Sequence, residues 1–301
     1  MQNESLYEPD KLLIDTKGNV LKVIYENDII TVKTPKEVEA EKVHKYRQLR
    51  ADRDEFAKLM EIECGNFYFN FFDGGLSTMD IKDSIKLRFL YLCTYVVYDE
   101  KGSYLAYDNG IKLSRDGLCE LLGLSDRECT NTISALVKNN LLIKYDKYYI
   151  VNNDYVKRGK LNKNEDNSPH TRVFDNGLRE LYKNCKATQH KQLYYLFKLL
   201  PYINLKYNAV CQNPSETIAE DVIPLTLTEM CEVVGYSTDK PTRFKKEMYG
   251  LQLFGQYAML GIENKNGMWY KINPRVLYAG TSGHFEEFTK LICSDFSISR
   301  K

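Results

Sequence analysis

Two patterns of apolar positions, one helical and one alternating, succeed each other in the same order twice along this chain. Residues 113–125, LSRDGLCELLGLS, and residues 225–237, LTLTEMCEVVGYS, share L-[ST]-x-x-x-[LM]-C-E-[LV]-[LV]-G-x-S without a gap. Upstream, FLYLCTYVVY (89–98) matches LYYLFKLLPY (193–202) in its apolar and aromatic positions. Downstream, YIVNNDYVKRG (149–159) matches YKINPRVLYAG (270–280). Three blocks that recur in one order mark an internal repeat.

Within each copy the spacing predicts a helix, a tight turn and a second helix. Leu118, Leu121 and Leu122 fall at helical spacing, as do Met230, Val233 and Val234. Ser114 and Thr226 are suited to cap the free N–H groups of the first helical turn. Gly123 and Gly235 tolerate the left-handed conformation that ends a helix. Ser125 and Ser237 then offer caps for the helix that follows. In the first copy this second helix runs to about Asn140, with Ile133, Leu136 and Val137 facing inward. Arg127, Thr130, Asn131 and Ser134 face outward beside Asp126. Strand signals at 141–145 and 148–151, separated only by Asp146 and Lys147, predict a hairpin.

The second copy is more basic. Its second helix starts within STDKPTRFKKEMYG and offers Thr238, Lys240, Thr242, Arg243, Lys245 and Lys246, with Pro241 suited to a first turn. Strands around 256–263 and 268–273 form a longer hairpin with Lys265 at its tip. Helix, glycine turn, capped helix and hairpin are the plan of a winged helix-turn-helix. The expected fold is therefore α+β and predominantly helical. It has a small β appendage at 1–35, winged-helix domains at 36–159 and 173–301, and a polar linker at 160–172, KLNKNEDNSPHTR.

The remaining segments fill this outline. Residues 36–60 read as a helix crowded with Lys42, His44, Lys45, Arg47, Arg50 and Arg53, a solvated face that also offers phosphate contacts through Lys45, Arg47 and Arg50. The aromatic stretch CGNFYFNFFDGG is expected in a core or an interface rather than stacked on bases. HFEEFTKLICSDF predicts a helix with Phe285, Phe288, Leu291 and Ile292 on one side, packed on the second unit or on another copy.

Charge and chemistry narrow the function. The formal net charge is +1, so any binding to nucleic acid relies on local basic surface rather than on an overall polycation. No apolar run reaches the length of a membrane span, and the polar start MQNESLYEPD lacks the regions of a signal peptide, so the expectation is a cytoplasmic protein with no membrane partner. None of the eight cysteines stands in a CxxC pair or at zinc-finger spacing from a histidine, so reduced thiols and no metal are expected. Isolated histidines, with no P-loop, GxGxxG or GxSxG motif, leave no reason to expect an enzyme or a cofactor.

The repeated L-[ST]-x-x-x-L-C-E-L-L-G-x-S block resembles the core of many winged-helix DNA-binding proteins. More narrowly, YKINPRVLYAG in a chain with two such units resembles plasmid and phage replication initiators of low-GC Gram-positive bacteria; Asn153 stands where that signature has proline in the first copy. The resemblance implies sequence-specific binding of double-stranded DNA at origin repeats and recruitment of host replication proteins, without enzymatic activity. A homodimer remains open. The alternatives are a transcriptional regulator of a mobile element and a protein–protein interaction module that binds no DNA.

Overall fold

The computed structural model describes residues 11–14, 20–24, 35–72, 75–99, 102–166 and 168–297. Helix accounts for about 47% and strand for about 20%, so helix dominates and the sheets are small and antiparallel. The chain divides into two units, residues 1–51 and 52–301.

In the first unit, β1 (Lys11–Ile14) pairs antiparallel with β2 (Val20–Ile24), which accounts for two strands of the expected β appendage. The rest of the expected appendage lies outside the described residues. Helix α1 (Pro35–Cys64) begins in this unit and continues into the next.

The second unit contains both sequence repeats. The first comprises β3 (Phe67–Phe71), α2 (Asp83–Cys93), β4 (Val96–Asp99), β5 (Gly102–Leu105), α3 (Arg115–Leu122) and α4 (Asp126–Lys138). It closes with β6 (Leu142–Tyr145), β7 (Tyr148–Val151) and β8 (Val156–Lys157). A helical turn, α5 (Lys163–Asp166), leads to the second repeat: β9 (His170–Phe174), α6 (Asp175–Asn184), α7 (His190–Lys198), α8 (Leu227–Val234) and α9 (Pro241–Tyr249). Strands β10 (Gln252–Leu253), β11 (Gln256–Tyr257), β12 (Met259–Asn264), β13 (Gly267–Ile272) and β14 (Leu277–Tyr278) precede α10 (Phe285–Lys290).

The local signals act as their chemistry requires. Ser114 accepts a hydrogen bond from the Gly117 N–H, and Thr226 forms a reciprocal capping box with Glu229. Gly123 (φ 60°) and Gly235 (φ 70°) close α3 and α8 in the left-handed region. After each hairpin an asparagine turns the chain: Asn152 Oδ1 accepts from the Asp154 N–H, and Asn273 Oδ1 accepts from the Arg275 N–H. These equivalent turns deliver β8 and β14 to a common destination.

That destination is one four-stranded antiparallel sheet in the order β14-β9-β3-β8, to which each repeat contributes two strands. Phe69 pairs with Lys157 of β8, and Arg172 pairs with Tyr278 of β14, so Phe69 and Arg172 hold the same place in the two repeats. They are also direct partners across the β3–β9 pair. This register is that of an approximate two-fold axis passing between them. The equivalent helices α2 and α7 also pack against each other, linked by an ion pair of Lys198 with Asp83 at 2.8 Å. Tyr91 of α2 stacks on Tyr182 of α6, with ring centroids 3.7 Å apart. One apolar core runs through both repeats.

Three expectations change here, and that for the aromatic stretch is met. Residues 160–172 do not form a linker throughout: they carry α5 and the first residues of β9, whose backbone groups are held in the shared sheet. The aromatic stretch is β3, an inner strand, where Tyr68, Phe69 and Phe71 are buried. Val137 is 37% exposed, because the inward stripe of α4 is Cys129, Thr132, Ile133 and Leu136 and Val137 falls at its margin. Cys119 and Cys129 are not reduced thiols but a disulfide between α3 and α4, whose packing sets their Cα atoms 5.5 Å apart. The other six cysteines are free.

The C-terminal helix packs on the second repeat, as expected, and also on α1. Phe288, Leu291, Ile292 and Phe296 bury themselves with Phe56, Met60 and Cys64 of α1, against Phe174 and Tyr278 of the shared sheet. Gly177, in the first turn of α6, lies against the backbone that leads into β14. A Cβ there would meet the Arg275 carbonyl oxygen at 1.9 Å. Gly177→Ala is accordingly expected to lower the stability of the chain by about 1–3 kcal/mol or more. Gly123→Ala, with nothing within 4 Å but a left-handed backbone, should cost about 1–2 kcal/mol. Urea denaturation midpoints of the two variants check the order.

Candidate nucleic-acid interface

Helix α4 presents Arg127, Thr130, Asn131 and Ser134, all exposed. Their spacing of three, four and seven residues places them on one stripe, opposite the buried Cys129, Thr132, Ile133 and Leu136. Ser125 caps the helix by accepting from the Glu128 N–H, as the sequence indicates. The Thr130 hydroxyl is already engaged: it donates to the Asp126 carbonyl at 2.8 Å and accepts from Arg115 Nη2 at 2.7 Å. Arg115 also binds Asp126 Oδ1 at 2.9 Å, so a half-exposed guanidinium from α3 joins the start of α4. Sequence reasoning passes over this residue, because a basic residue in a first helical turn ordinarily reads as solvated surface.

Behind the stripe, α4 is held by a buried cation. Arg88 of α2 is 3% exposed; its Nη1 donates to Thr132 Oγ1 at 2.9 Å, its Nη2 to Glu128 Oε1 at 2.6 Å, and its Nε to His190 Nδ1 at 3.2 Å. Three elements, α2, α4 and α7, therefore meet on one planar fork. The hint in the sequence is an arginine inside the apolar run IKLRFLYLC, where a charge survives only if its hydrogen bonds are met. His190 stacks on Tyr182 and accepts from Arg88, which requires a neutral Nδ1. Burial, reinforced by the Arg88 charge, lowers its pKa to about 4.

In the second repeat α9 begins later than its counterpart. Ser237 does not cap it; the Lys240 N–H donates to the Ser237 carbonyl in a preceding turn, and the helix starts at Pro241. The proline ring keeps Lys240 (φ −126°, ψ 44°) out of the helical region, so the first turn cannot include 238–240. Thr238 and Lys240 are thus exposed on the approach, and Thr242, Arg243 and Lys246 are exposed on α9 itself. Arg243 is 68% exposed and pairs with Glu247 at 3.0 Å, where Tyr236 also donates. Lys245 is half-buried, its ammonium 5.3 Å from the Tyr249 ring centroid. With Arg243, Lys245 and Lys246 against Glu247, α9 carries a net +2; α4, with Arg127 and Lys138 against Asp126 and Glu128, carries none.

The hairpins extend each group. Lys147 is exposed at the β6–β7 turn, 5.4 Å from the Tyr148 ring, and Lys265 is exposed at the β12–β13 turn. Lys45, Arg47 and Arg50 are exposed on α1 in the first unit. No helix among the described residues is long and apolar enough to cross a membrane.

The low pKa of His190 has a consequence for stability. The unfolded imidazole titrates near 6.5 and the folded one near 4, so between these values the unfolded chain binds the extra proton. Stability from this group is complete above pH 6.5 and is lost as pH falls toward 4. A loss on the order of 3 kcal/mol is expected across that window. His190→Gln should flatten this part of the pH profile of urea midpoints; an unchanged slope would count against the assignment. Comparison with known proteins returns no matching family profile, curated protein or solved structure.

Proposed function

We propose that this chain is a sequence-specific double-stranded DNA-binding protein. In this reading α3–α4 with the β6–β7 hairpin, and α8–α9 with the β12–β13 hairpin, are two winged-helix units joined in one body. The observation that carries it is the recurrence, about an approximate two-fold, of a capped helix, a left-handed glycine and a second helix with an exposed polar face. Such a helix fits the major groove, where polar side chains read base edges. Lysines and arginines beside it neutralise phosphates.

The two units have unequal shares. Asn131, Ser134 and Arg127 of α4 stand on a neutral helix and are suited to reading bases. Arg243, Lys246, Lys240 and Lys265 concentrate charge on the second winged-helix unit and supply most of the salt-dependent affinity. The biological role we assign is initiation of plasmid or phage replication at repeated origin sequences, with host replication proteins as partners; it rests on the resemblance of YKINPRVLYAG and the tandem units to such initiators.

Binding of origin-region duplexes across a salt series tests the reading. Arg243→Ala and Lys246→Ala are each expected to lower the slope of log K against log salt by about 1, while Arg127→Ala changes it less and alters sequence preference instead. Untouched affinity and slope in both second-unit variants would sink the division of labour. Failure to bind any duplex at low salt would sink the DNA reading itself. Loss of plasmid maintenance on deleting the gene separates an initiator from a regulator of transcription.

A further inference from the structure

The disulfide between Cys119 and Cys129 sits at a place where the two repeats differ. It spans the turn 123–125 and ties α3 to the first turns of α4. In the second repeat the corresponding positions are Cys231, which is free and fully buried, and Pro241. The first repeat alone thus carries the bond, on the helix that presents Arg127, Thr130 and Asn131.

The two sulfurs are inequivalent. Cys119 is half-buried, whereas Cys129 is fully buried in the fourth position of a 13-residue helix. Attack is therefore directed to Cys119, the less buried of the two, with Cys129 the leaving sulfur. The free cysteines lack this arrangement. Burial pushes the Cys64 thiol up to about 12 and those of Cys185 and Cys211 up to about 11, and it raises Cys93 and Cys231 as well; Cys293 is exposed and unbonded.

We infer that Cys119 and Cys129 form a reversible thiol–disulfide exchange site that takes small thiols and their disulfides, and that it clamps or releases the start of α4. In the releasing direction a small thiolate attacks Cys119 Sγ. The bond to Cys129 breaks, Cys129 leaves with the electron pair and takes up a proton, and Cys119 is left in a mixed disulfide. A second small thiolate attacks the small-molecule sulfur of that mixed disulfide, freeing Cys119, which is protonated. The sum is protein disulfide plus two thiols giving protein dithiol plus one small disulfide. The same small disulfide, in excess, drives the reverse.

Release leaves α4 attached through its later turns. Arg88 still holds Thr132, and Ile133 and Leu136 remain in the core. The segment 126–131 loses its covalent link to α3 and keeps the Arg88–Glu128 pair and exposed contacts such as Arg115 with Asp126 and Thr130. Local opening of that segment becomes easier while global folding persists.

Hydrogen exchange on the full chain, poised with reduced or oxidised glutathione, tests this. Amides of 126–131 are expected to exchange roughly 10- to 100-fold faster in the reduced protein, while those of α9 do not change. Alkylation and peptide mass mapping should show Cys119 and Cys129 blocked in the oxidised sample and modified after reduction. Cys129→Ser should exchange at the fast rate in both buffers, and Cys231→Ser should behave as the parent chain. Equal alkylation of Cys119 in both buffers, or equal exchange of 126–131, overturns the proposal on the parent chain even if a variant misfolds. Its effect on DNA rests on the DNA reading: a redox-dependent α4 with no duplex binding in either state would retain the clamp and discard that reading.

Discussion

The hydrogen-bonded pairing of β3 with β9 is the constraint on which the arrangement of the two repeats depends. Without it this sheet falls into two two-stranded ribbons, β3 with β8 and β9 with β14, and such ribbons are marginal in water. It would also leave the aromatic face of β3 on an open edge, a template for unwanted pairing. Joined, the four strands form a single sheet whose inner pair is contributed half by each repeat. Helices α2 and α7 then meet as equivalents, and the Arg88 fork spans them to hold α4. The orientation of α4 thus follows from a contact made between the repeats as well as from contacts within its own.

Much of this was legible in the residues. The ordered recurrence of three blocks located both helix pairs, and the cap residues and glycines located their ends, because capping and left-handed turns are set by a few adjacent side chains. The shared sheet was not legible. Its strand HTRVF lies in a polar stretch, and its partner FYFNF is about a hundred residues earlier; that pairing is decided by tertiary contact rather than by local period. The disulfide was hidden for a related reason. Cys119 and Cys231 share a register, which argues for packing, and the bonding partner is revealed only when α3 and α4 cross.

The candidate site divides similarly. The exposed faces of α4 and α9 follow from helical periodicity, so Arg127, Asn131, Ser134, Thr242, Arg243 and Lys246 were identifiable as surface. What fixes those faces was not: Arg88 and His190 act through neighbours that are far away in sequence. The later start of α9 illustrates a local rule outweighing a pattern, since the steric demand of Pro241 prevails over the alignment of Ser237 with Ser125.

The register that sets Phe69 opposite Arg172 is the one expected where two identical chains meet on a dyad. Here the chains are one chain, and residues 158–169 serve as the splice between what would otherwise be a carboxyl end and an amino end. Joining them removes the requirement that both halves stay alike. One half has a neutral helix with a bonded cysteine; the other has a proline and a positive charge. A symmetric dimer has no front or back along the axis it grips. This fused pair has both, and on the DNA reading it confers a direction on any duplex it occupies.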